Sequence, residues 1–177
     1  MAVTGAPKLV TERLELSLPV AADRHLMAPI IAHEETGRYL GHAFDPVDHF
    51  MRFMRNAGSW QLYGYGAFQI RLRDNGELIG TGGVFHTVRG LGEDFDDNPE
   101  AGWILRHDQV GRGMGLEAMS AVLDWFDSAH GPRRIVCITA LENEPSIRLA
   151  AKLGFTPLRE TELADGEMVK LFERVPG

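Results

Sequence analysis

Glu100, Trp103 and a run of alternating glycines lie in one stretch, E-A-G-W-I-L-R-H-D-Q-V-G-R-G-M-G-L-E-A over residues 100–118, whose residue types suit the capture of a phosphate. Gly111, Gly113 and Gly115 stand at every second position. Lacking Cβ atoms, they let successive backbone N–H groups approach a bulky anion. Residues 101–105 form a short apolar run of strand formers, and Leu116, Met119, Val122, Leu123 and Phe126 recur at helical spacing. The glycines therefore occupy a turn from strand to helix, where the free amides of the helix N-terminus favour a diphosphate. Gly113-x-Gly115-x-x-Ala118 also satisfies the dinucleotide fingerprint. In that fold, however, the glycines directly follow the first strand, whereas here residues 106–110 intervene and about a hundred residues come before.

After this stretch a strand-like R-I-V-C-I-T-A-L (134–141) leads into Asn143-Glu-Pro-Ser146 and a helical I-R-L-A-A-K-L-G-F ending at Phe155. G-W-I-L, then G-R-G-M-G, then N-E-P-S-x5-K-L-G-F resembles the GNAT superfamily of acyl-CoA-dependent N-acyltransferases, and within it the branch of the ribosomal-protein N-terminal acetyltransferases. L-V-T-E-R-L-E-L (9–16) and G-E-L-I-G-T-G-G (76–83) extend the resemblance over nearly the whole chain. Val110 departs from the family, which usually has Gln, Arg or an aromatic residue before the first loop glycine.

The resemblance implies an acetyl-CoA co-substrate and direct transfer to a primary amine, with no metal. Coenzyme A's diphosphate would rest on the amides of Val110, Gly111, Arg112, Gly113, Met114, Gly115 and Leu116, with Arg112 adding a charge-assisted contact. Its pantetheine arm would run beside Trp103, Ile104 and Leu105, where the sheet splays between its fourth and fifth strands. Glu100 matches the carboxylate that heads this strand in many relatives and is the candidate base, because an acceptor amine is protonated near pH 7 and must lose a proton. Asn143 would bond the pantetheine or cap the following helix. The tyrosine that many relatives use to protonate the departing thiolate is replaced by Ala150, while Ser146 stands where the ribosomal branch carries serine. The implied acceptor is a small-molecule amine or a protein N-terminus. Two other classes stay open at this stage: a non-catalytic coenzyme A-binding module and a nucleotide-dependent oxidoreductase.

Positioning these groups needs an α+β fold with a mixed, mostly antiparallel sheet, which the periodicities predict. Residues 14–18 alternate as a first strand. Helices are predicted over residues 21–31 and from Asp45-Pro46 onward, the latter an N-cap followed by proline. Residues 67–73 and 78–88 read as a hairpin about Asp74-Asn75-Gly76, in which Gly80, Gly82 and Gly83 signal a bulge or a close backbone approach. Residues 89–99 form a loop with four carboxylates, Glu93, Asp94, Asp96 and Asp97, expected to border the acceptor site. A helix over 116–130, a buried strand at 135–138, a helix opening at Pro145 and a terminal hairpin about Asp165-Gly166 complete the chain.

At 177 residues the chain reads as one domain, residues 1–177, able to bury a core without covalent staples. The net charge of −7 disfavours non-specific binding to nucleic acid or anionic lipid and suits a cationic acceptor. The lone Cys137 sits in an apolar strand and reads as a buried residue. Residues 1–7 carry no basic, apolar leader pattern and no run is long enough to span a membrane, so a cytoplasmic monomer or homodimer is expected. His42, Asp45, Asp48 and His49 cluster without any metal-binding spacing.

Overall fold

The computed structural model describes residues 7–41 and 43–177. One eight-stranded sheet runs in the order β1-β2-β3-β4-β5-β6-β8-β7. The strands are β1 (Leu9–Val10), β2 (Leu14–Ser17), β3 (Ala67–Leu72), β4 (Leu78–His86), β5 (Pro99–Leu105), β6 (Ile135–Ala140), β7 (Thr156–Glu162) and β8 (Met168–Arg174). The helices are α1 (Asp23–Ala32), α2 (Glu34–Gly37), α3 (Pro46–Tyr63), α4 (Met114–His130) and α5 (Glu144–Lys152). All neighbouring strands are antiparallel except β5 and β6. The α+β class and mixed sheet expected from periodicity are therefore present. The four-residue α2 was not anticipated, having too few residues to show a period.

Local chemistry explains the boundaries. Asp45 Oδ1 accepts the Asp48 amide at 2.7 Å, Pro46 opens α3, and Gly64 closes it with φ of 76°. β3 and β4 pair through a hairpin with a register shift at Ile70/Arg71. A Cβ at Gly80 would run into the Ile104 carbonyl, which is the close approach its glycine signalled. One face of the sheet is covered by α4: Met119, Val122 and Phe126 pack with Leu16, Phe68 and Ile70 in a cluster closed to solvent. Completely burying side chains of this size favours folding by about 1.5–3 kcal/mol each. On the opposite face α1 is tied down by an ion pair at 2.5 Å between Arg71 and the buried Asp23.

The sheet opens where β5 and β6 meet. Only Glu100↔Val136 and Ala101↔Cys137 are in register. Burial along β5 changes at the same point, from buried at Pro99–Ala101 to half-buried at Gly102–Leu105. This is the expected splay between the fourth and fifth strands, counted one higher here because the two-residue β1 adds a strand. Cys137 is buried at the closed end of the opening, and desolvation pushes its thiol well above the usual range.

Candidate active site

The loop between β5 and α4 has the geometry that its glycines suggested. Gly111 and Gly113 both adopt φ of 79°, the left-handed region that side chains disfavour, and Gly113 is the N-cap of α4. Nothing lies within 4 Å of the place a Cβ would take on Gly111. No acceptor for the amides of residues 111–116 is found among the described residues. A ring of free donors at the mouth of a 17-residue helix fits a diphosphate. Gly115 differs from its two neighbours: a Cβ there would stand 2.9 Å from Leu149 and 3.3 Å from Leu105, so this glycine serves the packing of α4 on α5 and β5.

Residues from the start of the chain hold the loop. Arg13 donates through Nη1 to the Arg112 carbonyl at 2.9 Å and pairs through Nε with Glu117 at 2.6 Å. Thr11 and the Arg13 amide also bond Glu117, at 2.6 and 2.8 Å. Burial works against the Glu117 charge, but these bonds outweigh it and hold its pKa below the ordinary value. Arg13 and Thr11 lie in the 9–16 motif, yet their pairing with a helix 104 residues away has no local signature.

Trp103 donates its indole N–H to Ser146 Oγ at 3.2 Å, across the open side of β5. Asn143 Oδ1 accepts the Ser146 amide at 3.2 Å and so caps α5, leaving the Asn143 amide N–H₂ for other partners. The two roles weighed for Asn143 are thus compatible. Ser146 is fixed through its backbone and its acceptor lone pair, with its own O–H still to donate.

The face of the sheet opposite α4 bears a cavity of about 630 Å³. Its floor includes Gln69, Thr81, Phe85, Glu100, Gly102 and Ile104, and α1 to α3 form its roof. Gln69, Thr81 and Ile104 are cross-strand partners on successive strands and share one face. The cavity meets the splay along Gly102–Ile104, so a group threaded between β5 and β6 reaches a chamber of small-molecule size.

Glu100 is the candidate base at the head of β5, and its surroundings limit how it can act. It is 2% exposed and fully engaged on one side. Arg89 grips it with two bonds, Nε to Oε2 at 2.8 Å and Nη2 to Oε1 at 2.6 Å, and Thr87 adds a third at 2.7 Å. Desolvation opposes the Arg89 charge, but the hydrogen bonds and charge of Glu100 prevail and raise its pKa. Of about four acceptor sites on a carboxylate, one remains. Arg89 belongs to the site and was missed, because a single arginine at a loop entrance carries no sequence signal.

The acidic loop departs from expectation. Asp94 pairs with Arg159 at 2.7 Å, Asp96 accepts the amides of Arg89, Leu91 and Gly92, and Asp97 meets His86 at 2.9 Å. None of Glu93, Asp94, Asp96 or Asp97 lines the cavity; Glu93, Asp96 and Asp97 border a separate depression. Asp96 folds its own loop, while Asp94 and Asp97 tie it to β7 and β4. Neutralising Glu93 and Asp97 is accordingly expected to leave the acceptor KM unchanged at low salt in steady-state assays, whereas a salt-sensitive rise would return the loop to the site. Asp96→Asn should instead lower the melting temperature.

Among the described residues no group of three His, Cys, Asp or Glu side chains is placed to hold a metal, and no helix is long and apolar enough to cross a membrane. His42, part of the cluster noted above, lies outside the described residues.

The split sheet, with a glycine loop at one end of the split and a chamber at its side, agrees with the family that the sequence itself matches. A family model described as an acetyltransferase (GNAT) domain matches residues 13–156, and the chain belongs to that family. It is similar to a GnaT-family protein from Bordetella pertussis, with 32% identity and a TM-score of 0.85 over 96% of this chain and 99% of that one. The uncharacterized N-acetyltransferase YoaA of Bacillus subtilis is 28% identical over 151 residues, 84% of this chain and 82% of YoaA. Ribosomal-protein-S5-alanine acetyltransferase from Vibrio fischeri shares the fold, with a TM-score of 0.73 at 17% identity over 96% of both chains. The fold neighbours thus include the ribosomal-protein branch, and the chain is an enzyme of the acetyltransferase class.

Proposed function

We propose that the protein transfers an acetyl group from acetyl-CoA directly to a primary amine held in the chamber above Gln69 and Gly102. The carrying observation is the continuity of three features: free amides at residues 111–116, the unpaired edge of β5 at Gly102–Leu105, and the cavity on its far side. The loop amides with Arg112 bind the diphosphate, and Trp103, Ile104 and Leu105 flank the pantetheine arm. Asn143 offers its amide N–H₂ to that arm. An amide of the unpaired β5 edge stabilises the thioester oxygen as charge develops on it. The amine loses its proton through the one open acceptor site of Glu100, directly or through a water.

Ser146, its lone pair engaged by Trp103, donates its O–H as a hydrogen bond to the departing thiolate, which takes its proton from solvent. Ser146→Ala is expected to lower kcat by about tenfold, below the usual range for a general acid because a thiolate leaves readily, with acetyl-CoA affinity unchanged. Single-turnover kinetics and calorimetry read the two quantities separately. Equal kcat in a folded Ser146→Ala protein removes the serine from the chemistry.

Free-thiol release from acetyl-CoA across a panel of amines tests the whole reading. Tight acetyl-CoA binding without transfer to any amine would establish a coenzyme A-binding module instead. A thermal shift with nicotinamide cofactors but none with acetyl-CoA would favour an oxidoreductase.

A further inference from the structure

Four arginines line the cavity, Arg38, Arg52, Arg55 and Arg89, with Asp48 and Glu100 among its carboxylates. Asp48 is paired with Arg52 at 2.8 Å and Glu100 with Arg89 at 2.6 Å. Arg55 has no ion pair or hydrogen bond among the described residues. Arg55 lines the cavity while remaining exposed to solvent, and desolvation, then repulsion by Arg89 and Arg52, lowers its pKa. A guanidinium in that position is an unmatched fork for a carboxylate or phosphate.

A second, independent observation lies on the floor. Gln69 is 3% exposed, yet its Oε1 has no partner. The orientation of its amide is set by the neighbouring strand. Thr81 Oγ1 donates its proton to the Phe68 carbonyl at 2.8 Å and so has only acceptor capacity toward Gln69, whose Nε2 faces it at 3.4 Å. Oε1 is therefore the atom left without a donor. Asn56, one residue beyond Arg55 on α3, also has a buried Oδ1 with no partner and lines the same cavity. Buried polar atoms are nearly always bonded, so two orphaned acceptors in one chamber point to a ligand that brings N–H groups.

Resting on the transferase reading above, we infer that the acceptor is a small zwitterion, its amine received by Gln69 Oε1 beside the β5 opening and its oxyanion held by Arg55. This reverses the cationic acceptor expected from net charge. The six carboxylates of the wider cavity, Glu34, Asp45, Asp48, Glu100, Asp165 and Glu167, do not oppose the inference. Asp48 and Glu100 are taken by arginines, Asp45 caps α3, Asp165 accepts the Glu167 amide, Glu167 is itself engaged, and Glu34 is exposed to solvent that screens its charge.

The probes are an ω-amino carboxylate series from glycine to 6-aminohexanoate, the matching carboxamides, the aminoalkyl phosphonates and the diamines. Binding to the coenzyme A-loaded protein is measured by calorimetry, and transfer by thiol release from acetyl-CoA. Some member of the carboxylate or phosphonate series should bind about tenfold tighter than its carboxamide or diamine counterpart. Comparing the two oxyanion series identifies which one the site takes. Arg55→Gln should erase that preference, Arg55→Lys should restore part of it, and both should keep parental acetyl-CoA affinity and melting temperature. Binding that ignores the oxyanion, or a preference that survives Arg55→Gln, overturns the inference whether or not transfer occurs. Oxyanion-dependent binding with no transfer upholds the inference and sinks the transferase reading instead.

Discussion

Glu100→Gln should produce two losses that separate by method. The first is stability: the carboxylate and Arg89 form a pair in which Glu100 is closed to solvent, and removing one partner of a buried pair costs about 3–5 kcal/mol. Glutamine keeps an acceptor for Thr87 or Arg89, so the lower end applies, and about 3 kcal/mol lowers the melting temperature by roughly 6–12 °C in a domain of this size. The second loss is turnover. With a single acceptor site left for the amine's proton, kcat should fall on the order of 10²-fold, the low end for a positioned base. That defect should shrink as pH rises and more of the acceptor is already unprotonated. Acetyl-CoA affinity should stay at the parental value, since the diphosphate loop is at the other end of β5. A rate defect equal at every pH would make Glu100 a positioning residue that acts through Arg89, and the proton would then leave by another route.

The parts of the fold legible beforehand were those governed by neighbours in sequence. The α3 start at Asp45-Pro46 was visible because an N-cap and a proline act within three residues. The strand, glycine turn and helix at 99–130 were visible because a short apolar run of strand formers gives way, across the glycines, to apolar residues at helical spacing. The site's supports were hidden because they depend on register across the sheet. Arg13 reaches Glu117 and Arg112 only once β2 is seated near α4, and Arg89 reaches Glu100 only once its loop folds back. Asp96 illustrates the opposite error. Its charge suggested an electrostatic task, while its position among the amides of Arg89, Leu91 and Gly92 makes it a turn former, which charge alone does not reveal.

Gly113→Val is expected to abolish acetyl-CoA binding, and the structure shows that strain will accompany the loss. Gly113 holds φ of 79°, where an L-residue pays about 1–2 kcal/mol and a β-branched one is a steric outlier. Its new Cβ would also stand 3.3 Å from Nη2 of Arg13, whose Nη1 bonds the Arg112 carbonyl and steadies this loop. Binding would therefore be lost twice over, through an obstructed cradle and a displaced anchor. The control is Gly131 at the opposite end of α4, which has φ of 77° and nothing within 4 Å of its Cβ position. Gly131→Val carries a backbone strain at least as large, because a ψ of 149° puts it in a region essentially reserved for glycine, and it makes no contact with the loop. Both variants should melt below the parent in the absence of ligand. In calorimetry Gly131→Val should bind acetyl-CoA with parental affinity, and Gly113→Val should show no heat of binding while its circular dichroism stays folded. Parental affinity in a folded Gly113→Val protein would move the diphosphate away from residues 111–116, and equal weakening in both variants would trace the effect to strain in α4.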